Sequence, residues 1–486
     1  MSSLATPLPH ETWVARNMVR PLLRPGVWVV LAALVRLGML VSLPYTGATA
    51  AINPKVGTPW MERVGHVSGL VEFLQHRVLY RALAEDEICY HEMGQNIVAG
   101  RGFVLDRQWQ ITEPGKPALY AGCGYPLFVG IVYGIFGSGQ QLPVYLIQIA
   151  MHALAAALIF QTVRRLVGPV GGAVAAAYYT FHPMLIWSSV ALMSEALVIP
   201  LAVVFFWLLA HRGALGYAPG RHWLRVVLLG LVMGVLCETR STFVYFNVVL
   251  MALLLLEVRN RDWWPTRLAR PLVYFLVFAT VCAPWTVRNY LHYHRFIPFS
   301  TKKGGAAYVF NHSGLVVEFG PRAVGGTPPV DLYGEEMVSL HDEVARDDRC
   351  LELFYQFLRE QPHKFLGLTW IRFWMALLPV AITAASPLAN VMAWYIKGPM
   401  LVLIPMGLYW AKRRLWWRML PWLLFVSYWQ ALQSISGAGM RYRLPADPAW
   451  VCIVGSLVAV GMARWRPHVH ALLLARRFDR QAPATR

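Results

Sequence analysis

The feature that most constrains this chain is the recurrence of long apolar tracts. Val27–Leu43, Gly171–Leu185, Ala196–Ala210, Val226–Cys237, Phe243–Leu256 and Pro271–Pro284 are followed by Val391–Trp410, Trp416–Leu432 and Pro448–Met462. A helix that crosses a bilayer needs about 20 apolar residues, and several tracts reach that length once flanking aromatics are counted. With 57% apolar and 14% charged residues and a mean hydropathy of +0.45, the chain is too apolar for an ordinary soluble enzyme. The first tract is too long for a cleavable signal peptide, and no clean small-residue cleavage site follows it. The sequence predicts an all-α, polytopic membrane protein.

A formal net charge of +19 invites a nucleic-acid reading, which the distribution of charge argues against. If the tracts alternate across the bilayer, one set of short loops and ends collects Arg16, Arg20 and Arg24, then Arg164–Arg165, and then Arg212, Arg221 and Arg225. The same set continues through Arg259–Arg270, Lys412–Arg418 and the basic residues from Arg464 onward. It holds half of all Lys and Arg but only four acids, Glu11, Glu257, Asp262 and Asp479. That asymmetry is the positive-inside pattern, so charge here reports topology.

Taken in order, the chain is expected to have about ten transmembrane helices with both ends in the cytoplasm. The domains expected are a cytoplasmic N-terminus over 1–26, a transmembrane domain over 27–463 and a cytoplasmic tail over 464–486. Two large outer loops, about 46–140 and 288–390, carry interfacial helices. Tyr120–Gly137 is apolar but broken by glycines and reads as interfacial, because counting it as a span would place Arg164–Arg165 outside. Phe365–Ala381 reads the same way, with Arg372 on it. The third span is expected over Gly171–Ser189, and the acidic run Glu335–Glu352 is expected to include helix. Arg36, in the middle of the first tract, is expected to pair within the bundle. No internal repeat is visible, which weighs against the inverted-repeat design of secondary transporters.

The cysteines say less. Cys237, Cys282 and Cys452 lie in apolar tracts and read as packing residues. Cys89 and Cys123 share the first outer loop, where either a disulfide or two free thiols is compatible with an oxidising compartment. No Cys/His spacing resembles a zinc site. Asn311-His312-Ser313 matches a glycosylation acceptor, a match frequent by chance, and is given no role.

The unusual polar residues lie at the outer ends of the tracts. Ala84–Pro126 packs Glu85, Asp86, Glu87 and Glu92 into a few turns of an otherwise acid-poor protein, and carboxylates held near lipid are functional candidates by default. Glu195, Arg240, Arg288, Arg441 and Arg443 join them on the same face. Singly, each is as well explained as a solvated helix end or a snorkelling arginine. Together they suit a site in which acids orient and deprotonate an acceptor while arginines hold a phosphate.

These residues stand in a recognisable order. Asp86-Glu87-x-x-Tyr90, Gly100–Phe103, Gly124–Phe128 and Phe136-Gly137 are followed by Ser194-Glu195, Thr239-Arg240, Pro284–Tyr290 and Arg441–Pro445. The order resembles the C-type glycosyltransferases, in the bacterial branch akin to dolichyl-phosphate-mannose protein mannosyltransferases and the lipid A aminoarabinose transferase. The resemblance runs from about Val27 to Met462. It implies an inverting transfer of a sugar from a polyprenyl-phosphate donor to a glycan, lipid or protein acceptor, at an inner-membrane site facing the periplasm or cell exterior. Asp86 then matches the catalytic base, with Glu87 and Glu195 as the accompanying acids. Arg240, Arg288, Arg441, Arg443 and Lys116 are candidates for the lipid phosphate, and Tyr90, Tyr125 and Asn289 for the substrate pocket. The sequence departs from the pattern at Tyr120-Ala121-Gly122-Cys123, where relatives often carry a basic residue with prolines, and Lys116 is the nearest substitute. A divalent cation (Mg or Mn) bridging carboxylates and phosphate is left open.

Two other functions compete. A flippase or transporter for a lipid-linked sugar would show internal symmetry and charge along a pathway, whereas the charge here concentrates in the two large loops. A non-catalytic assembly subunit has no need to keep Asp86, Glu195 and Arg240 together.

Overall fold

A computed structural model of the chain describes residues 20–42, 85–107, 112–210, 222–256, 264–315, 339–340, 342–378, 387–410, 413–437 and 440–465. The expected cytoplasmic N-terminus lies mostly outside these residues, as do nearly all of the tail and the beginning of the first large loop. Regular structure among the described residues is helical throughout, apart from one isolated bridge between Val104 and Pro117.

The helices follow the apolar tracts. The first half of the chain forms α1 (Pro25–Ser42), α2 (Glu85–Val98), α3 (Gly124–Phe136), α4 (Gln141–Val167), α5 (Pro169–Thr180), α6 (Pro183–Ser188) and α7 (Glu195–Ala210). The next are α8 (His222–Thr239), α9 (Val244–Leu256), α10 (Trp264–Tyr293) and α11 (Lys302–Val309). The last are α12 (Glu343–Glu360), α13 (Pro362–Leu377), α14 (Pro387–Trp410), α15 (Arg413–Ser436), the single-turn α16 (Met440–Arg443) and α17 (Asp447–Trp465). Among the described residues, four segments are individually long and apolar enough to cross a membrane: Pro25–Ser42, Gln141–Val167, Leu268–Tyr293 and Arg441–Arg464. Shorter apolar helices, α3 and α7 among them, accompany these four. The chain is a polytopic, all-α membrane protein.

The third expected span is broken, which corrects the reading of Gly171–Ser189 as one helix. Helix α5 stops at Thr180, and α6 restarts after His182, whose Nδ1 accepts the Leu185 N–H at 3.3 Å. Pro183 opens α6, where its missing N–H costs nothing. The chain then runs without regular helix until Glu195, so α6 and the following turns bring residues 189–194 under α2. The described part of the acidic run from Glu343 to Glu352 lies in α12, and Phe365–Leu377 of the second apolar stretch lies in α13, which leaves Leu366 and Trp370 exposed.

Helix association in lipid depends on close packing rather than on expelling water, so small residues line the contacts. A Cβ on Gly455 of α17 would meet the Ala175 Cβ of α5 at 2.6 Å, and one on Gly234 of α8 would meet Val281 of α10 at 2.7 Å. The main apolar core joins α1, α4, α5, α7–α10, α15 and α17. In it the Phe425 ring packs edge-on against Phe206 at 5.1 Å and Phe246 at 4.9 Å. A second core beneath α2 and α3 contains Tyr90, Tyr125, Tyr133, Tyr145 and Leu192. Arg36 is fully buried on α1, with its guanidinium 5.2 Å from the Tyr179 ring centroid and a hydrogen bond donated to the Ala32 carbonyl. Its guanidinium thus lies inside the bundle against the Tyr179 ring.

Candidate active site at the helix ends

Four helix ends meet above the main core. Asp86 lies in the first turn of α2, Glu195 in the first turn of α7, Arg240 just past α8 and Arg441 on α16. Three of the four termini suit the charge they carry, those at Asp86, Glu195 and Arg240. An acid in a first turn faces unpaired N–H groups, and a cation past a last turn faces unpaired carbonyls.

Arg441 is the bridge. Its Nη1 donates to Asp86 Oδ2 at 2.5 Å and its Nε to Glu195 Oε1 at 2.9 Å. Arg240 Nη1 donates to the same Glu195 oxygen at 2.9 Å, and the Ser194 hydroxyl donates to Glu195 Oε2 at 3.3 Å. Glu195 is only 1% exposed, whereas Asp86 is 29% and Arg441 33% exposed. Glu195 is therefore the anchor of both arginines, and Asp86 is the carboxylate that a ligand can reach. The Tyr442 ring centroid lies 6.0 Å from the Arg240 guanidinium, and the Tyr442 carbonyl accepts from Trp429 Nε1 at 2.8 Å, which ties α16 to α15.

The backbone around this cluster is held by buried polar contacts. Glu87 is buried and accepts the Leu192 N–H at 2.9 Å, fixing the turns that lead into Glu195. Gln148 on α4 accepts from the Tyr125 hydroxyl at 2.8 Å and donates to the carbonyls of Ser189 and Ala191. Tyr90 packs edge-on against Tyr125 at 4.9 Å, and both are buried. Gly122, inside the Tyr120–Cys123 stretch, and Gly124 just after it pack directly on the end of α8. A Cβ at Gly122 would stand 2.1 Å from the Glu238 carbonyl, and one at Gly124 would stand 2.3 Å from the Thr239 hydroxyl. The first loop thus lies directly on the end of α8. Cys89 and Cys123 are free thiols, and Cys123 Sγ donates to Glu238 Oε2 at 3.2 Å.

Several residues singled out in the sequence stand apart from this cluster. Arg288 donates to the Ala118 carbonyl and stacks 4.6 Å from the Trp285 ring centroid. Asn289 is buried and donates to the Ile297 carbonyl at 2.9 Å. Lys116 is exposed and paired with Glu113 at 2.7 Å. Arg443, two residues from Arg441, pairs instead with Asp447 at 2.9 Å inside the bundle. Asn311, the nominal glycosylation acceptor, is fully buried and bonds the Ala307 and Ile435 carbonyls and Arg372.

One residue that the sequence did not single out belongs to the site. Lys302 opens α11 in the second large loop, and its Nζ lies 4.5 Å from the Tyr120 ring centroid. Asp86, Glu195, Arg240 and Arg441 are all within electrostatic reach of it, and burial pushes its ammonium down to about 8. Next to another lysine in a polar loop, it carries no sequence signal. The loop before it is pinned by Glu343, which accepts the Leu119 N–H at 3.0 Å and the Thr301 hydroxyl. Burial raises the Glu343 carboxyl to about 7. Among the described residues, no group of three or more His, Cys, Asp and Glu side chains converges as a metal-ligand set. The two carboxylates of the cluster are instead bridged by a guanidinium.

Residues 122–287 match the dolichyl-phosphate-mannose-protein mannosyltransferase family, a stretch that includes Glu195 and Arg240. No curated protein matches the chain in sequence. The fold is similar to that of the Archaeoglobus fulgidus oligosaccharyltransferase in its apo form, at 13% identity and a TM-score of 0.51. That match covers 92% of this chain and 51% of the archaeal one, so the chain spans about half the length of that protein. The same enzyme, AglB, in complex with an inhibitory peptide and a dolichol-phosphate matches at 12% identity over 86% of this chain and 52% of that one, with a TM-score of 0.47. ArnT from Cupriavidus metallidurans bound to undecaprenyl phosphate matches at 16% identity over 86% and 78% of the two chains, with a TM-score of 0.39. The helices that carry Asp86, Glu195, Arg240 and Arg441 are thus arranged in a fold similar to that of the archaeal oligosaccharyltransferase.

Proposed function

We propose that this protein is an inverting glycosyltransferase that moves a sugar from a polyprenyl-phosphate donor to an acceptor hydroxyl or amine at the outer face of the plasma membrane. The observation that carries the reading is the Arg441 bridge between a half-buried Asp86 and a buried Glu195, with Arg240 on the same Glu195 oxygen. The match of residues 122–287 to a family that uses a dolichyl-phosphate-linked sugar supports the donor class.

The chemistry assigns different work to the two acids. Asp86 takes the proton from the acceptor as that oxygen or nitrogen bonds to the anomeric carbon. The bond from that carbon to the phosphate oxygen breaks, and its electron pair leaves with the polyprenyl phosphate. One displacement of this kind inverts the anomeric configuration. Arg441 and Arg240 supply positive charge where the phosphate departs, fixed in advance by Glu195 so that little reorganisation is needed during the reaction. A positioned base of this sort contributes about 100- to 10,000-fold in rate.

The test is transfer of radiolabelled sugar by the purified full-length protein from a panel of polyprenyl-phosphate sugars, with the anomeric configuration of the product read by NMR. Transfer with inversion supports the proposal. Retention of configuration, or donor binding without transfer or hydrolysis across the panel, contradicts it.

A further inference from the structure

We infer that Lys302 is a contact for the donor phosphate, an inference that rests on the reading above and names a binding residue from the second large loop. Its place is built rather than incidental. The Thr301 N–H donates to the Leu119 carbonyl at 3.3 Å, while Glu343 holds both the Thr301 hydroxyl and the Leu119 N–H. These bonds lock the start of α11 against the first loop and set the Lys302 ammonium over the Tyr120 ring. The cluster is therefore assembled from both large loops, not from the first alone.

Charge balance points to an anion. Within electrostatic reach of Lys302 are Asp86 of α2, Glu195 of α7, Arg240 after α8 and Arg441 of α16, while α12 packs Glu343 against Thr301 and Asp347 against the Gly304 and Gly305 N–H groups. Between the first and second loops, the three cations Lys302, Arg240 and Arg441 thus stand against the two carboxylates of Asp86 and Glu195, a surplus of one positive charge within that set. A polyprenyl-phosphate sugar is a phosphodiester with one negative charge, which that surplus matches. When the bond to the anomeric carbon breaks, the phosphate gains further negative charge, and an ammonium close by stabilises it. Three other basic residues noted in the sequence lie apart from this cluster: Arg288 beside Ala118 and Trp285, Arg443 beside Asp447, and Lys116 beside Glu113. Lys302 also gives the site a pH dependence. Its ammonium is charged at neutral pH and is lost as pH rises through about 8, so phosphate binding weakens above that point.

The experiment uses radiolabelled undecaprenyl phosphate as the probe, bound to the purified full-length protein in detergent between about pH 6.5 and pH 9.5. The parent is compared with Lys302→Met and Lys302→Arg, and transfer is assayed in parallel. The parent is expected to bind more weakly as pH passes about 8. Lys302→Met should weaken binding by roughly tenfold at neutral pH and flatten the pH profile, as loss of one charge-assisted contact requires. Lys302→Arg should keep binding and move the decline to higher pH. Parental affinity and an unchanged pH profile in Lys302→Met would overturn the inference. If the parent binds the probe in a Lys302-dependent way but transfers sugar from no donor, the phosphate contact stands and the glycosyltransferase reading falls.

Discussion

Arg441 and Arg443 lie two residues apart on the single-turn helix α16, yet they enter different kinds of ion cluster. Arg441 reaches across the molecule to Asp86 and Glu195, on elements far away in sequence, and stays one-third exposed. Arg443 turns inward to Asp447, four residues on, with side chains 7% and 3% exposed. His182 Nε2 lies 3.7 Å from the other Asp447 oxygen, and Lys397 nearby donates to the Met375 carbonyl at 2.7 Å. The first cluster keeps a ligand-accessible edge and a surplus of positive charge. The second is sealed and locally paired, and it fastens α17 to α6 where the third span is broken.

The two clusters should therefore respond differently to truncation. Arg443→Ala leaves the buried Asp447 carboxylate without its partner, and breaking a buried pair in this way costs about 3–5 kcal/mol of stability. It should appear as a large drop in melting temperature in detergent, with transfer lost only in proportion to unfolded protein. Arg441→Ala should do the reverse, costing about 2–4 kcal/mol of transition-state stabilisation, roughly 30- to 1,000-fold in kcat/KM, with little change in melting. If Arg443→Ala abolished transfer in a fully folded protein, the division between the clusters would fail.

The contrast explains what could be read from the sequence. Asp86, Glu195, Arg240 and Arg441 were visible because charge at the ends of apolar tracts stands out against lipid. Arg443 has the same local appearance, and only the i,i+4 position of Asp447 in the folded chain takes it inward. Lys116 and Arg288 lie beside the right motifs, but Lys116 pairs locally with Glu113 and Arg288 is turned to Ala118 and Trp285. Lys302 was invisible because its role depends on the docking of one large loop on the other. The break at His182-Pro183 was also missed, since an apolar tract interrupted by a single proline reads as one span until the capping contact is known.

A subtler effect sharpens the comparison at the junction between the loops. Glu343 is buried, and its carboxyl is raised above its ordinary range to about 7. The folded state therefore holds a proton that the unfolded state releases near 4.5, so stability should fall as pH rises from about 4.5 to 7 and level off above that. Glu343→Gln should remove this slope from the melting-temperature profile while keeping hydrogen-bonding capacity toward Leu119 and Thr301. An unchanged slope would place the titration elsewhere.

The most direct test of the central claim is single-turnover transfer from a polyprenyl-phosphate sugar by the parent and by Asp86→Asn, with donor affinity measured on the same preparations. The account predicts near-parental donor binding by Asp86→Asn and a transfer rate lower by about 100- to 10,000-fold, the range for loss of a positioned base. Equal rates in the two proteins would show that Asp86 only holds Arg441 in place, and would contradict its assignment as the base.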